Sequence, residues 1–172
     1  MRTICLVLGL AVVTSTSAFA QKVSVDWDHD VNFSNYKTFA YAKTKPVENP
    51  LMDQRIVDAI KAELSKKGLK AVDANPDMVF TYTAAAKQDT SYVTDSWGYG
   101  GGWRWGGGMG TSTTNSFTTI KGTIVVDLYD AKSKQMMFRG SATDTVSDKP
   151  EKNADKINKG MKKLFEKFPP KE

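Results

Sequence analysis

One segment of the sequence concentrates side chains suited to binding a ligand. Residues 98–110 hold eight of the chain's 13 glycines. Aromatic and basic side chains lie among and beside these glycines, namely Trp97, Tyr99, Trp103, Arg104 and Trp105. Aromatic rings with little steric cover stack on sugars, enter membrane interfaces or dock on proteins, and a guanidinium between tryptophans pairs with phosphate or carboxylate. The alternative is a loop that folds back and covers the sheet with its tryptophans.

The same glycines do not form a nucleotide-binding motif. No Gly-Lys-Ser/Thr follows them, and no Gly-x-Gly-x-x-Gly spacing occurs within residues 98–110. Each pattern belongs to a known motif that places backbone N–H groups around phosphates, and neither is present. The segment is therefore predicted to be a flexible loop, residues 95–116, with aromatic side chains available for contact.

A second group of candidate residues is acidic. Asp26, Asp28 and Asp30 alternate along a predicted strand end, beside His29, which is the one histidine of the chain. Alternate residues of a strand share a face, so the three carboxylates are weak candidates for binding a hard cation. A solvated strand end that discourages edge pairing explains them more simply. One histidine without cysteine does not suit a tetrahedral zinc site, and no metal is predicted.

Catalytic arrangements are poorly supported. A Ser-His-Asp triad would have to use His29, and no serine lies in a Gly-x-Ser-x-Gly elbow. A carboxylate pair of the kind used by glycoside hydrolases is a weak alternative, because spacing in sequence says little about it. We therefore predict no enzyme activity and no cofactor.

The first 20 residues are predicted to be an export signal. Arg2 precedes an apolar run at residues 4–13, and Ala18 and Ala20 provide the small side chains that a signal peptidase requires. The run is too short to span a bilayer, and no later segment replaces it. The only cysteine, Cys5, lies inside the run, so lipid attachment is not expected. Cleavage after Ala20 leaves 23 basic against 19 acidic residues, a net charge of +4.

The rest of the chain predicts a single α+β domain over residues 21–172. Strands are predicted at 23–27, 37–42, 69–72, 78–93, 118–129 and 135–145, from alternating apolar residues. Helical spacing predicts helices from Asn49 to Gly68 and over residues 153–168. This order favours a largely antiparallel sheet with two helices packed on one face and the Gly/Trp loop between two strands.

Several stretches of the sequence resemble the bacterial envelope family called domain of unknown function 4136. They are residues 33–41 (Phe-Ser-Asn-Tyr-Lys-Thr-Phe-Ala-Tyr), 49–56 (Asn-Pro-Leu-Met-Asp-Gln-Arg-Ile), 75–77 (Asn-Pro-Asp), the Gly/Trp loop, 122–130 (Gly-Thr-Ile-Val-Val-Asp-Leu-Tyr-Asp), 139–142 (Arg-Gly-Ser-Ala) and 163–170 (Lys-Leu-Phe-Glu-Lys-Phe-Pro-Pro). The stretches agree with the family in order and spacing, and the match as a whole covers essentially all of residues 22–170. The resemblance implies an exported protein, often a lipoprotein, with no established activity and no assigned catalytic residues. This chain departs from the lipoprotein members because its signal ends in Ala-Phe-Ala followed by Gln21.

The sequence as a whole indicates a non-enzymatic, soluble periplasmic domain that binds an envelope component through the Gly/Trp loop. The expected partners are peptidoglycan, the outer-membrane surface or an envelope protein. Although the pI is about 9.2, export argues against nucleic acid, and the lysines of the last helix are expected to form a solvated face. The alternative is a structural or stress-related envelope protein without a specific ligand, and a carboxylate-based hydrolase comes third.

Overall fold

The computed structural model describes residues 21–43, 47–96 and 112–170, which form six strands and two long helices. The strands are β1 (Lys22–Trp27), β2 (Thr38–Tyr41), β3 (Lys70–Ala71), β4 (Met78–Ser96), β5 (Ser112–Asp130) and β6 (Met136–Thr145). The helices are α1 (Pro50–Lys66) and α2 (Pro150–Glu166), and one turn of 3-10 helix, Phe33–Asn35, follows β1. These elements confirm the predicted α+β class.

All six strands belong to one mixed sheet with the order β1-β6-β5-β4-β2-β3. The pairs β1–β6, β6–β5 and β5–β4 are antiparallel, whereas β2 runs parallel to both β4 and β3. Each helix follows a strand that runs toward the same end of the sheet, so α1 and α2 both begin at that end. We call it the open end, and we call the opposite end, where both helices finish, the closed end.

Helix α1 begins and ends where its sequence predicts. The side chain of Asn49 accepts hydrogen bonds from the backbone N–H groups of Leu51 and Met52, at 3.0 and 3.3 Å, and Pro50 occupies the first turn. At the other end Gly68 has a φ of +85°, the left-handed conformation that glycine adopts without strain.

Neither α1 nor any other helix in the described ranges is long and apolar enough to cross a membrane.

Helix α2 begins three residues earlier than its sequence predicts. Its cap, Lys149, makes no side-chain capping bond, and Pro150 starts the first turn. The side chain of Asn153, predicted to be the first helical residue, instead bonds both the N–H and the carbonyl of Ser147, at 2.7 Å each. The start was missed because no Ser, Thr, Asp or Asn stands at the cap position.

The core lies between the helices and one face of the sheet, which we call the inner face. Across the strands it places side chains in rows, such as Trp27, Phe138, Leu128, Phe80 and Tyr41. The helices cover this face with buried residues that follow helical spacing, namely Ile56, Ile60 and Leu64 of α1 and Ile157, Met161, Leu164 and Phe165 of α2. The two helices also contact each other, which confirms that both pack on one face.

Glycine is required at one point of close approach between α2 and the sheet. A Cβ atom on Gly140 of β6 would lie 2.6 Å from Cδ2 of Leu164, which is fully buried. Since carbon atoms do not approach this closely, any larger side chain would push the helix away from the sheet. Gly140 therefore sets the distance at which α2 packs.

Strands β4 and β5 are longer than predicted. β4 continues to Ser96 and β5 begins at Ser112, so the ends of the segment 95–116 that was predicted as loop belong to strands. These ends are rich in threonine and serine, and cross-strand hydroxyl contacts such as Thr94 Oγ1 to Thr114 Oγ1, at 3.4 Å, join them. Threonine has high β propensity, which the prediction had discounted because the segment lacks apolar residues.

Candidate functional site

Strands β4 and β5 project beyond the sheet at the open end. The pairing of β5 with β6 stops at Lys121 and Thr145, but its pairing with β4 continues from Gln88–Ile120 to Ser96–Ser112. At about 3.3 Å per residue, these nine residue pairs extend roughly 30 Å. We call residues 88–96 and 112–120 the hairpin arm. In the described part of the chain the arm strands pair with each other, and one further backbone bond, from the N–H of Val146 to the carbonyl of Ile120 at 2.7 Å, lies at the base of the arm.

The arm exposes aromatic and aliphatic side chains on both faces. Tyr92, on the inner face, is 72% exposed, and Phe117, on the outer face, is 59% exposed. Ile120 lies at the base of the inner face and is 45% exposed. An isolated two-stranded ribbon is at best marginally stable in water, and this ribbon leaves large apolar side chains exposed on both of its faces. The arm is therefore a candidate interaction surface.

The inner face of the arm is rich in neutral hydrogen-bonding groups. It carries hydroxyl and amide side chains around Tyr92, namely Gln88, Thr90, Thr94, Thr114, Ser116 and Thr118. Asp89, a charged residue of the arm, stands at an outer-face position of β4. At the base Lys121 Nζ bonds Asp89 at 2.5 Å and lowers the pKa of that carboxyl. An aromatic face beside hydroxyl and amide groups suits the recognition of a polar ring such as a sugar.

The binding residues predicted from the sequence lie outside the described residues. Trp97, Tyr99, Trp103, Arg104 and Trp105 all belong to residues 97–111, which connect Ser96 to Ser112. These two serines pair at the far end of the arm. Residues 97–111 are therefore covalently joined to the arm at both of their ends. The contacts that their side chains make stay a prediction.

A groove of about 800 Å³ opens at the base of the arm, between the sheet and the parts of both helices nearest the open end. Its floor is made of inner-face residues with small side chains, namely Ala84, Ala86, Gly122 and Ala142, together with Ile124. Met52 and Ile56 of α1 and Ile157 and Met161 of α2 form its walls. The volume falls within the range of roughly 300–1,000 Å³ that is usual for small-molecule sites.

Polar groups lie at the edge of this groove. Lys156 Nζ donates to the carbonyl of Thr145 at 2.6 Å and lies 3.6 Å from Asp144 Oδ1. Gln21 Nε2 donates to the carbonyl of Lys156 at 2.7 Å, and Glu48 also borders the opening. The groove thus has an aliphatic interior and a charged rim.

The acidic residues at and just after the end of β1 do not converge on a metal site. Asp26 Oδ1 accepts the N–H of Trp27, and Asp28 Oδ1 accepts the N–H of Asp30, both at 3.0 Å. All three candidate carboxylates are exposed, and His29 packs its ring 4.9 Å from that of Trp27. Among the residues that the structure describes, no three His, Cys, Asp or Glu side chains are placed to hold a metal ion.

A network of polar side chains joins the chain segments at the closed end by hydrogen bonds. Asp77 Oδ2 accepts hydrogen bonds from the backbone N–H groups of Lys37 and Thr38 and from Thr38 Oγ1, at 2.8–2.9 Å. Asp130 accepts the hydroxyl of Tyr36 at 2.9 Å and the N–H of Ser133 at 2.6 Å. We call Tyr36, Thr38, Asp77 and Asp130 the polar clasp.

The clasp shifts the pKa values of its own members in the direction expected for hydrogen-bonded carboxylates. The N–H of Ser133, followed by the Tyr36 hydroxyl, lowers the pKa of Asp130 to about 2. The N–H of Lys37, followed by Thr38, lowers the pKa of Asp77. Burial, with Asp130 nearby, raises the pKa of Tyr36 to about 12. These groups keep one charge state near neutral pH, as structural contacts do.

Two further polar contacts tie elements together. Tyr82, buried on the inner face, donates its hydroxyl to Asp53 of α1, and its burial, followed by this bond, raises its pKa. On the outer face Arg139 pairs with Asp127 through two bonds of 2.6 and 2.8 Å. Asp127 is only 7% exposed. The first pair joins α1 to the sheet, and the second joins β5 to β6. None of these four residues lines the groove.

Sequence reasoning missed the groove. Its floor combines small residues from three strands, and the signals in the sequence were the run of alanines at 84–86 and Gly122, which opens a gap in the apolar face of its strand. A void depends on which side chains face each other across strands and helices, and the sequence does not show this pairing. The arm was missed for a related reason, since its length depends on where β6 stops.

The fold and the open-end geometry define a small α+β domain with a projecting hairpin arm and a groove at the base of that arm. The chain belongs to the family described as domain of unknown function (DUF4136), whose model matches residues 23–170. Among curated proteins, none matches the sequence.

Solved structures resemble the chain in fold. A PDZ domain protein from Parabacteroides distasonis ATCC 8503 superposes with a TM-score of 0.60 at 16% sequence identity, over 87% of this chain. The chain spans 36% of the length of that protein. Two PelC dodecamer structures from Paraburkholderia phytofirmans match at 13% and 12% identity with TM-scores of 0.48, over 84% of this chain and 97% of theirs. The first comparison supports the fold alone.

Proposed function

We propose that the protein is an exported, non-enzymatic binding domain of the bacterial cell envelope, and that its hairpin arm, with the Gly/Trp segment at residues 97–111, binds a glycan such as peptidoglycan. The observation that carries the proposal is the exposed ring of Tyr92 on a neutral arm face rich in hydroxyl and amide groups. Stacking of rings on sugars supplies apolar contact, and the hydroxyl and amide groups match sugar hydroxyls.

The electrostatics of the described residues support a non-enzymatic role. The carboxyl groups with shifted pKa values, Asp77, Asp89 and Asp130, are all shifted downward. A general acid that works near neutral pH needs a pKa raised toward 7. Their hydrogen-bond partners are backbone N–H groups, a threonine, a tyrosine and a lysine that hold strands together.

The proposal is tested by co-sedimentation of the purified exported protein with insoluble peptidoglycan sacculi. We expect Tyr92→Ala to weaken retention several-fold, and the triple change Trp97→Ala, Trp103→Ala and Trp105→Ala to weaken it further. Met136→Ala is the matched control, because Met136 is a 39% exposed apolar side chain at the closed end, and it should bind like the wild type. Equal retention of all variants, or none of any, would contradict the proposal and favour a structural role without a specific ligand.

The envelope location has its own test. We propose cleavage after Ala20 and release into the periplasm without a lipid anchor, because small residues occupy the signal-peptidase positions and Cys5 lies within the apolar run. The periplasmic fraction should contain a protein whose first residue is Gln21. Retention of residues 1–20, or a mass increase from an attached lipid, would contradict this.

A further inference from the structure

Strand β4 keeps one long edge unpaired. On the side away from β5, β2 pairs with it only over Met78–Phe80, and no described strand pairs with it there from residue 83 to residue 96. On this side the carbonyl of Phe80 accepts the N–H of Ala42 at 3.0 Å. Because backbone groups alternate along a strand and the register of β4 with β5 does not shift, the even-numbered residues direct their N–H and C=O groups toward the free edge. Such an edge is a template for a further strand, and β4 has no proline to prevent it.

The charges along this edge are complementary to themselves when a second copy runs antiparallel. A two-fold axis at Gln88 sets Lys87 of each copy opposite Asp89 of the other, on the outer face. Within one copy Lys87 lies across from Lys121, and the ion pairs of the described residues do not include Lys87. Asp89 bonds Lys121 through Oδ2, so its Oδ1 can accept from Lys87 of the second copy. Opposite charges that face each other across antiparallel strands stabilise the pairing.

The register of this pairing is set by the same residues. Residues directly opposite each other share a face of the sheet, so the two-fold axis must fall on a residue. An axis one residue away in either direction places Lys87 opposite its own copy, or Asp89 opposite its own copy, and like charges in this position destabilise. With the axis at Gln88, Tyr92, which is 72% exposed, lies directly across from Ala84 of the second copy, on the floor of the groove.

From these observations we propose that residues 84–92 of β4 pair antiparallel with the same residues of a second copy of the chain, through a two-fold axis at Gln88. The two sheets then continue into each other. A single pair of strands is a small contact beside the roughly 1,200–2,000 Å² of stable interfaces, so the dimer depends on protein concentration. This inference goes beyond the proposed glycan binding. Both use Tyr92, so a second copy competes with a glycan for the arm, and the dilute protein is the monomer.

Sedimentation velocity of the purified exported protein, from about 1 μM to about 1 mM, tests the pairing. We expect monomer to convert into dimer and no larger species, because a two-fold pairing closes on itself. Lys87→Glu and Asp89→Lys should each weaken self-association about tenfold or more, since like charges then face each other twice. An equimolar mixture of these two variants should associate like the wild type, because both facing pairs again have opposite charges.

The matched control for the charge change is Lys61→Glu, at an exposed position of α1, and it should dimerise like the wild type. A protein that stays monomeric over the whole concentration range would overturn the proposal, and so would assemblies larger than a dimer. A mixture of the Lys87 and Asp89 variants that associates no better than either variant alone would also overturn it. These assays contain no glycan, so their outcome is independent of the outcome for the proposed glycan binding.

Disulfide formation tests the register, and it serves if a charge variant does not fold. The only cysteine is Cys5, so the protein purified as residues 21–172 has none. Gln88→Cys should form a disulfide-linked dimer on mild oxidation, because the two α-carbons lie about 5.5 Å apart across the axis. Thr90→Cys, the matched control, should not link to itself, because its two copies are displaced by about 13 Å along the strands, but it should link to Ala86→Cys. Equal linking of Gln88→Cys and Thr90→Cys, or none by Gln88→Cys, would overturn the register.

Discussion

The two ends of the sheet differ in how completely the sequence fills them. At the closed end, Phe138, Phe165 and Phe168 pack edge to face with ring centroids 5.2–6.0 Å apart, and the polar clasp satisfies the strand ends with short hydrogen bonds. At the open end, alanine and glycine leave a groove of about 800 Å³, and β4 and β5 run past their neighbours with Tyr92 and Phe117 exposed. The closed end of the sheet thus stabilises the fold, whereas the open end exposes a groove and apolar side chains to solvent.

The contrast between the two ends separates residues that stabilise the domain from residues that are available to bind a ligand or partner. Dense packing and satisfied polar groups supply most of the free energy of folding. Voids and exposed aromatic rings reduce that free energy, and proteins generally keep them where a ligand or partner binds. The open end is therefore where function is expected, and the closed end holds the domain together.

The largest expected effect on stability comes from removing an aromatic ring at the closed end. Phe138→Ala removes a fully buried side chain and should lower the free energy of unfolding by about 3–5 kcal/mol. Ile124→Ala, at the half-buried floor of the groove, should cost at most about 2 kcal/mol because the site already borders a void. Urea denaturation of both variants checks the comparison, and equal losses would contradict it.

The next effect comes from the two sheet glycines. Gly140→Ala should destabilise by about 1–3 kcal/mol, because its Cβ would overlap the buried Leu164. Gly122→Ala, the same change at the open end, should cost less, because its Cβ would meet Val146 at 3.0 Å and that side chain is 39% exposed and free to move. The two midpoints of thermal unfolding give the order, and the reverse order would show that the open end is the more tightly packed.

Acid tests the polar clasp. Because the folded protein lowers the pKa of Asp130 to about 2, from an ordinary value near 3.8, the carboxylate stabilises the fold fully above about pH 4, and this stabilisation is lost as the pH falls from about 4 to about 2. Asp130→Asn should flatten this part of the stability profile, and Tyr36→Phe should flatten it partly. Urea denaturation midpoints measured between about pH 6 and about pH 2 give this stability profile. If Asp130→Asn lost as much stability in acid as the wild type, Asp130 would not be the source of the acid sensitivity.

The smallest effect is expected on the arm. Tyr92→Ala should change the free energy of unfolding by no more than about 0.5 kcal/mol, because the ring is 72% exposed. Together with a loss of glycan retention, this would separate binding from stability at a single residue. A large loss of stability would mean that Tyr92 packs against the domain.

The sequence predicted the elements that depend on local signals. Asn49, Pro50 and Gly68 marked the ends of α1, and the alternation of Met78, Phe80 and Tyr82 marked the buried face of β4. These signals act within a few residues of the feature they specify. The class of fold followed from their order.

Features that depend on distant partners were not predicted. The parallel pairing of β2 with β4 and the length of the hairpin arm depend on which strand lies alongside. The groove depends on alanines and a glycine from three strands that meet in one place. The candidate binding side chains Trp97, Tyr99, Trp103, Arg104 and Trp105 were found in the sequence by composition, and their arrangement stays a prediction.

Amide hydrogen exchange with and without peptidoglycan sacculi tests the central claim most directly. In the free protein, amides of residues 88–96 and 112–120 should exchange fastest among the strands, whereas those of β5 and β6 beside Leu128 and Phe138 should exchange only through global unfolding. On addition of sacculi, we expect protection to appear on the arm and not at the closed end. Protection that appears at the closed end, or an arm that stays unprotected, would contradict the account.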